Sequence, residues 1–182
     1  QVQFVCRAGD FRRRGLPFRG ELRVLKVILG YDYLWNKVRV FGGAYGCMSG
    51  FGRDGISYFV SYRDPKLKET IQAFEAAAAY IRGFEADEQE MTKYVIGAVS
   101  TMDRPMTPSM LGRFSKTCEL TGITAEDLQR ERQQVLSCTQ EEIRGMSAYI
   151  EAFLDDGVLC VVGSAKKLKE AETLFDTLEP LT

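Results

Sequence analysis

Six glycines fall within the segment 38–65, between a long apolar helical pattern and an alternating strand pattern. Glycine is favoured where the backbone takes a positive φ angle or lies very close to another group. These glycines surround Tyr45, whose hydroxyl is a neutral hydrogen-bond donor, six positions after Arg39. Two interpretations fit this spacing. The segment holds extended backbone, such as a peptide, against a sheet edge, or it is an ordinary glycine-rich entry to a hairpin.

The regions on either side of these glycines carry clear periodic patterns. Apolar residues recur at helical spacing from residue 18 to about residue 37, and the stripe is wide enough to predict a helix buried against a sheet. Within this helix Trp35 is predicted to be a core residue. Residues 56–62 alternate as a strand does, and Asp64-Pro65 predicts the start of the next helix.

The remaining elements follow from alternation, capping residues and apolar runs. Residues 2–7 alternate as a strand buried mainly on one face. The run Val158–Val162 is continuously apolar, which is typical of a central strand, and a last helix is predicted at about 165–178. The helices between them are marked by these capping residues: Asp87 with Glu90, Thr107 with Pro108, Thr124, and Thr139 with Glu142.

The resulting element order is β-α-β-β-α-α-α-α-α-β-α. Strands gathered early and once late, with helices between them, predict an α+β fold in which helices cover one face of the sheet. A length of 182 residues suits one domain, and we assign residues 1–182 to a single domain.

Composition excludes several classes of function. The net charge is −1, from 24 basic and 25 acidic residues, so the sequence gives no electrostatic reason to expect nucleic acid as a partner. No apolar run approaches the roughly 20 residues needed to span a bilayer, so no membrane association is expected. The five cysteines are odd in number and form no C-x-x-C pair, which predicts reduced thiols in an intracellular compartment.

The chain contains no histidine. A His₂Glu zinc site, a Ser-His-Asp triad and a Cys-His dyad are therefore impossible within it. We expect no metal to be bound by this segment, and we expect the segment alone to be inactive by these routes.

Two motifs in the glycine-rich region carry a family resemblance. RVFGGAYG followed by ISYFVSYRDP resembles the C-terminal part of the inverted-zincin metallopeptidases, in the presequence-protease branch of the insulinase and pitrilysin superfamily. The resemblance extends from residue 2 to about residue 65, and more loosely to the end. It implies a two-layer sandwich with a mostly antiparallel sheet, the last of four repeated domains in a longer chain.

The resemblance also implies roles for particular residues. In the family, the C-terminal half supplies an arginine and a tyrosine that hold the substrate backbone and stabilise the oxyanion; by position these are Arg39 and Tyr45. Gly42, Gly43 and Gly46 would let the backbone approach the substrate. Without the resemblance, Arg39 would be read as a partner of a neighbouring carboxylate and Tyr45 as a core ring.

These features lead to two hypotheses of function. The first is the C-terminal, substrate-clamping domain of a zinc-dependent oligopeptidase, whose N-terminal half binds zinc with an H-x-x-E-H motif and whose substrates are oligopeptides. The alternative is a non-catalytic scaffold or peptide-binding subunit of a heteromeric complex. A bacterial cytoplasm is the expected compartment, with an organelle matrix as the alternative.

Overall fold

The computed structural model describes residues 2–180, so Gln1, Leu181 and Thr182 of the predicted 1–182 domain lie outside the described part. Four strands form one antiparallel sheet in the order β2-β3-β1-β4. Within residues 2–180, β2 and β4 are therefore the edges of the sheet. The strands are β1 at Gln3–Asp10, β2 at Gly46–Phe51, β3 at Ile56–Asp64 and β4 at Val158–Val162.

The helices follow the predicted order once two broken helices are recognised. The α2/α3 and α7/α8 pairs are each interrupted by a single residue, Ala76 and Met146. Helix α1 continues directly into two wider π-helical segments, Leu29–Tyr33 and Trp35–Val40. The helices are α1 Glu21–Ile28, α2 Lys68–Glu75, α3 Ala77–Arg82, α4 Glu88–Met102, α5 Pro108–Thr121, α6 Ala125–Leu136, α7 Gln140–Gly145, α8 Ser147–Asp155 and α9 Ala165–Glu170.

The core lies between one face of the sheet and the helices. Phe59 projects from β3 into this layer, with its ring centroid 5.0 Å from that of Phe153 on α8 and 5.5 Å from that of Phe74 on α2. Leu25 and Ile28 of α1 are also fully buried. Burial of these side chains drives the packing of the layers. The predicted α+β sandwich, with helices on one face, is confirmed.

The opposite face of the sheet, which we call the outer face, is apolar and exposed. It carries Phe4 on β1, Tyr58 and Tyr62 on β3, Met48 on β2 and Val162 on β4. Phe4 and Tyr62 pack edge to face with ring centroids 5.2 Å apart. No element within residues 2–180 covers this face.

The predicted caps are present at the helix N-termini. Asp87 with Glu90 and Thr139 with Glu142 form capping boxes, and the Thr107 side chain accepts from the backbone N–H of Met110. Such caps satisfy backbone donors that have no partner inside the helix. Local chemistry alone therefore located these boundaries correctly.

Two predictions about position were wrong. Val158–Val162 is an edge strand rather than a central one, and Val158 is 70% exposed, because β1 is the sole partner of β4 in the described part of the chain. Trp35 is 41% exposed rather than a core residue, because the π-helical segment directs its ring out of the core and onto the side chain of Arg39. Strand β1 is buried mainly on one face, as predicted, and that face carries Gln3 and Val5 while Phe4 faces outwards.

Two helix boundaries also differ from the predictions. Asp64 ends β3 and is buried, accepting hydrogen bonds from the backbone N–H of Lys66 at 2.9 Å and the hydroxyl of Thr70 at 2.6 Å. The N-cap of α2 is instead Leu67. The last α-helix ends at Glu170, and a 3-10 turn follows at Glu172–Leu174.

Candidate functional site

The helical segment that carries Arg39 ends in a tight left-handed turn. Gly43 has a φ angle of +81°, and its N–H donates to the carbonyl of Arg39 at 2.9 Å. The N–H of Ala44 donates to the carbonyl of Val38 at 3.1 Å. These bonds satisfy the last helical carbonyls and turn the chain into β2.

The three glycines of the predicted site have different surroundings. A Cβ atom added at Gly42 would lie 2.2 Å from the carbonyl oxygen of Val38, so the fold itself requires glycine there. Gly43 is required by its positive φ angle. At Gly46 an added Cβ would meet nothing within 4 Å, so the space beside it is open. Of these three glycines, therefore, Gly46 alone is not required by the local backbone or by a close contact within residues 2–180.

The Arg39 side chain is fixed from two directions. Its Nε donates to the backbone carbonyl of Tyr45 at 3.0 Å, and its guanidinium carbon lies 3.8 Å from the ring centroid of Trp35. Arg39 makes no ion pair with any residue in 2–180, and its two terminal Nη atoms have no hydrogen-bond acceptor there. The group is therefore held in place while its remaining donors stay available.

Tyr45 is 68% exposed and stands at the start of β2. Its ring packs edge to face on Tyr62 at 5.7 Å, and the guanidinium carbon of Arg63 lies 5.8 Å from its centroid. Its N–H donates to the carbonyls of Tyr62 at 3.1 Å and Arg63 at 3.4 Å. Arg63 has a φ angle of +50°, which is unusual for a residue with a side chain and marks the bulge of β3 at this point.

The structure brings Arg39 and Tyr45 together, and we call these two residues the donor pair. It contradicts both alternatives that the sequence left open, since Arg39 has no carboxylate partner in the described residues and Tyr45 is not a core ring. Val40 and Phe41, beside the donor pair, are also exposed and make its rim apolar.

A groove of about 520 Å³ lies between helices α1 and α4 and the free edge of β2, and it is linked to the donor pair through Trp35, which lines it and contacts Arg39. Trp35 and Tyr31 line one end, and Met48 and Ser49 line the strand side. The Ser49 hydroxyl is buried and has no hydrogen-bond partner among residues 2–180. The groove therefore combines aromatic walls with an unused polar atom, a combination common in ligand sites.

The Cys47 thiol beside this groove is not activated. Burial raises its pKa to about 11, and the nearby charge of Arg39 only partly opposes this. The thiol is therefore protonated at neutral pH, whereas a nucleophilic cysteine acts as the thiolate.

The described residues do not fit a zinc site. The sequence has no histidine, and within 2–180 no group of three Cys, Asp or Glu side chains is placed to hold a metal ion. No helix in this part of the chain is both long enough and apolar enough to cross a membrane. We therefore derive no chemistry for this chain from a metal of its own.

Three contributors to the site were not found from the sequence. Trp35 orients Arg39, while Tyr62 and Arg63 support the ring of Tyr45. Trp35 and Arg39 are four positions apart, a spacing that brings helical side chains together, so this contact was available as a signal. The contacts of Tyr62 and Arg63 depend on the bulge in β3, which no local sequence pattern predicted.

Comparison with known proteins identifies the family. Residues 1–167 match the family described as the PreP C-terminal domain. The chain belongs to the presequence protease C-terminal domain family.

Two relatives place this PreP C-terminal domain within much longer proteins. It is 42% identical over 178 residues to "Protein HypA" of Clostridium perfringens, covering 98% of this chain and 18% of that protein. It is 31% identical to "Presequence protease 1, chloroplastic/mitochondrial" of Arabidopsis thaliana, covering 94% of this chain and 16% of that protein. The chain thus spans less than a fifth of either relative.

Solved structures share the fold at low sequence identity. The PreP C-terminal domain superposes on a putative zinc protease from Bordetella pertussis with a TM-score of 0.66 and 11% identity, covering 90% of this chain and 95% of that one. It superposes on pitrilysin with a TM-score of 0.57 and 16% identity, covering 87% of this chain and 18% of that one. These likenesses support the architecture alone.

Proposed function

We propose that this chain is the substrate-clamping C-terminal domain of a zinc-dependent oligopeptidase that degrades unfolded peptides in an enclosed chamber. The observation that carries the proposal is the donor pair. Arg39 is held by Trp35 and the Tyr45 carbonyl, yet its terminal nitrogens have no partner within residues 2–180, and Tyr45 beside them is exposed. Its relatives include proteins named presequence proteases.

The donor pair suits the chemistry of peptide hydrolysis. Attack of water on a peptide carbonyl places negative charge on its oxygen, and fixed donors directed at that oxygen lower the barrier. Arg39 offers a cation and Tyr45 a neutral hydroxyl, so together they bind the developing charge and the adjacent backbone. Because Arg39 is already oriented, little reorganisation accompanies the reaction.

The parts missing from this chain are assigned to the rest of the parent protein. Zinc and the base that activates water would come from its N-terminal half, because the sequence has no histidine and residues 2–180 hold no grouped set of metal ligands. In this arrangement Gly42 and Gly43 form the turn that presents the donor pair. Gly46 leaves room for the substrate backbone.

The first test is turnover of a quenched fluorescent peptide of about 15 residues by the natural-length protein. We expect Arg39→Ala or Tyr45→Phe to lower kcat by about 10²–10³, the effect of losing one oxyanion donor. Arg113→Ala and Tyr80→Phe are matched controls, because neither side chain has a hydrogen-bond or ion-pair partner within 2–180 and neither lines the groove beside β2. Unchanged turnover in both donor-pair variants would refute the assigned roles.

A non-catalytic scaffold or peptide-binding subunit is the second candidate. It is favoured by similarity to a structure described as the inactive peptidase domain of a putative zinc protease from Bordetella parapertussis, with a TM-score of 0.68 and 12% identity. The two candidates separate in the same assay. Chelator-sensitive cleavage by the natural-length protein supports the oligopeptidase, whereas peptide binding without cleavage supports the scaffold.

The compartment is also part of the proposal. We retain the bacterial cytoplasm, with an organelle matrix as the alternative. Similar proteins include one from the bacterium Clostridium perfringens and two whose names place them in mitochondria or chloroplasts. Fractionation of the source cells, with detection of the natural-length protein, tests it.

A further inference from the structure

Two of the five cysteines lie directly opposite one another in the sheet. Cys6 on β1 is the register partner of Cys160 on β4, and the two strands are antiparallel. Opposed residues in such a pair have Cα atoms about 4.5 or 5.5 Å apart and share one face of the sheet. Both separations fall within the range of about 4.4–6.8 Å found across disulfides.

The surroundings of the two sulfur atoms favour reaction between them. Both lie on the outer face, with Cys160 exposed and Cys6 half-buried, and both are free thiols. Burial, and then the neighbouring Cys160, raise the pKa of Cys6. Cys160 is therefore the thiol that meets an oxidant from solvent first, and Cys6 is placed to react second.

We propose that Cys6 and Cys160 are a modification site, at which a low-molecular-weight disulfide converts the two thiols into one intramolecular disulfide. The Cys160 thiolate attacks the small disulfide, forming a mixed disulfide and releasing one small thiol. The Cys6 thiolate then attacks the Cys160 sulfur and releases the second small thiol. The protein loses two protons and two electrons, and the small disulfide gains them as it becomes two small thiols.

The cross-link would change how the sheet is held together. Among residues 2–180, strand β4 pairs with β1 alone, so its attachment there depends on one ladder of hydrogen bonds. A covalent bond between residues 6 and 160 closes most of the chain into a loop, and long closed loops restrict the unfolded state most. The other cysteines lack this geometry; Cys47, for example, is opposite Ser61.

The test uses the natural-length protein incubated with oxidised glutathione, then alkylated and mapped by mass spectrometry. We expect a peptide pair joined through Cys6 and Cys160, with loss of two hydrogen atoms, in most molecules. Cys6→Ser and Cys160→Ser should each abolish it, and Cys47→Ser should leave it intact. A glutathione adduct that persists on Cys160 of the unsubstituted protein, or no reaction at either thiol, would overturn the proposal.

A second measurement needs no substitution. Limited trypsin digestion should cut the β4–α9 region more slowly in the oxidised protein than in the reduced protein. Added dithiothreitol should remove this difference in cleavage rate. Equal digestion of a protein shown to be cross-linked would refute the stabilising effect on β4. The register and exposure of Cys6 and Cys160 do not depend on Arg39 or Tyr45, so failure of the donor-pair test would leave the cross-link prediction unaffected.

Discussion

Arg39 owes its orientation to a contact that a lysine could not make. The planar guanidinium stacks on Trp35 with 3.8 Å between the guanidinium carbon and the ring centroid, while Nε is used by the Tyr45 carbonyl. Lysine carries a point charge on a flexible stem and lacks both the plane and the fork of donors. A positive charge at position 39 is therefore not sufficient; the planar guanidinium is also needed to make these two contacts.

The first prediction concerns Trp35. Trp35→Ala removes the ring and should free the Arg39 side chain. A cation–π contact at an exposed site is worth about 0.5–1 kcal/mol, so its loss should lower kcat about two- to fivefold. Tyr31→Ala is the matched control, because it removes an exposed ring from the same groove without touching Arg39. Equal losses in the two variants, measured by peptide turnover, would show that the groove rather than Arg39 is affected.

The second prediction separates two neighbouring glycines. Gly46→Ala should weaken peptide binding, seen as a higher KM, without lowering stability, because its new methyl group enters open space. Gly42→Ala should instead lower the thermal midpoint, because its Cβ would collide with the Val38 carbonyl. An unchanged KM in Gly46→Ala would remove this glycine from the site.

At the scale of elements, one carboxylate joins three parts of the fold. Glu131 on α6 is buried and accepts from Arg53 in the β2–β3 hairpin at 2.6 and 2.7 Å and from Arg23 on α1 at 3.0 Å. Burial by itself raises the pKa of Glu131, but these hydrogen bonds outweigh burial and hold the pKa below its ordinary value. The ionised form is therefore favoured by folding.

The third prediction follows from this lowered pKa. A carboxylate whose pKa is lower in the folded state binds fewer protons there, so its contribution is complete above the unfolded-state pKa and is lost as pH falls through the folded pKa. Glu131→Gln should lower the free energy of unfolding at neutral pH by about 3 kcal/mol. The deficit should shrink in acid. Urea titrations across pH measure it, and a pH-independent deficit would contradict the assignment.

Local rules predicted the elements whose boundaries have local causes. The capping pairs of Asp87 and Thr139 work through atoms three residues apart, so their sequence pattern is sufficient. Strand β4 was predicted to be central because a run of five apolar residues is compatible with both the edge and the centre of a sheet. The position of such a strand is set by which other strands it pairs with, and these are distant in the sequence. Trp35 was misplaced because π-helical winding shifts the phase of side chains away from the 3.6-residue period.

At the scale of the whole molecule, the donor pair could be named only through family resemblance. The spacing of Arg39 and Tyr45 left a salt bridge and a core ring open, and the bond between Arg39 Nε and the Tyr45 carbonyl depends on the turn at Gly43. The role of the pair in catalysis stays a prediction. The α+β class, by contrast, followed from element order, because few layer arrangements can bury these faces.

The fourth prediction uses metal removal to separate activity from the stability of this domain. Chelation should abolish peptide turnover by the natural-length protein, because we assign zinc to its N-terminal half. It should leave hydrogen exchange of the amides in β1 and β3 unchanged, because the described residues offer no metal site. Faster exchange in these strands on chelation would place a metal-dependent contact within or against this domain.

The pairing of β1 with β4 has a consequence for how the chain acquires its structure. These strands are separated by about 150 residues of sequence, so their contact order is high, and closing such a long loop slows folding. We expect the β2–β3 hairpin to form early and β4 to add last. On the ribosome, this domain would complete its sheet only after the segment through Val162 has left the exit tunnel.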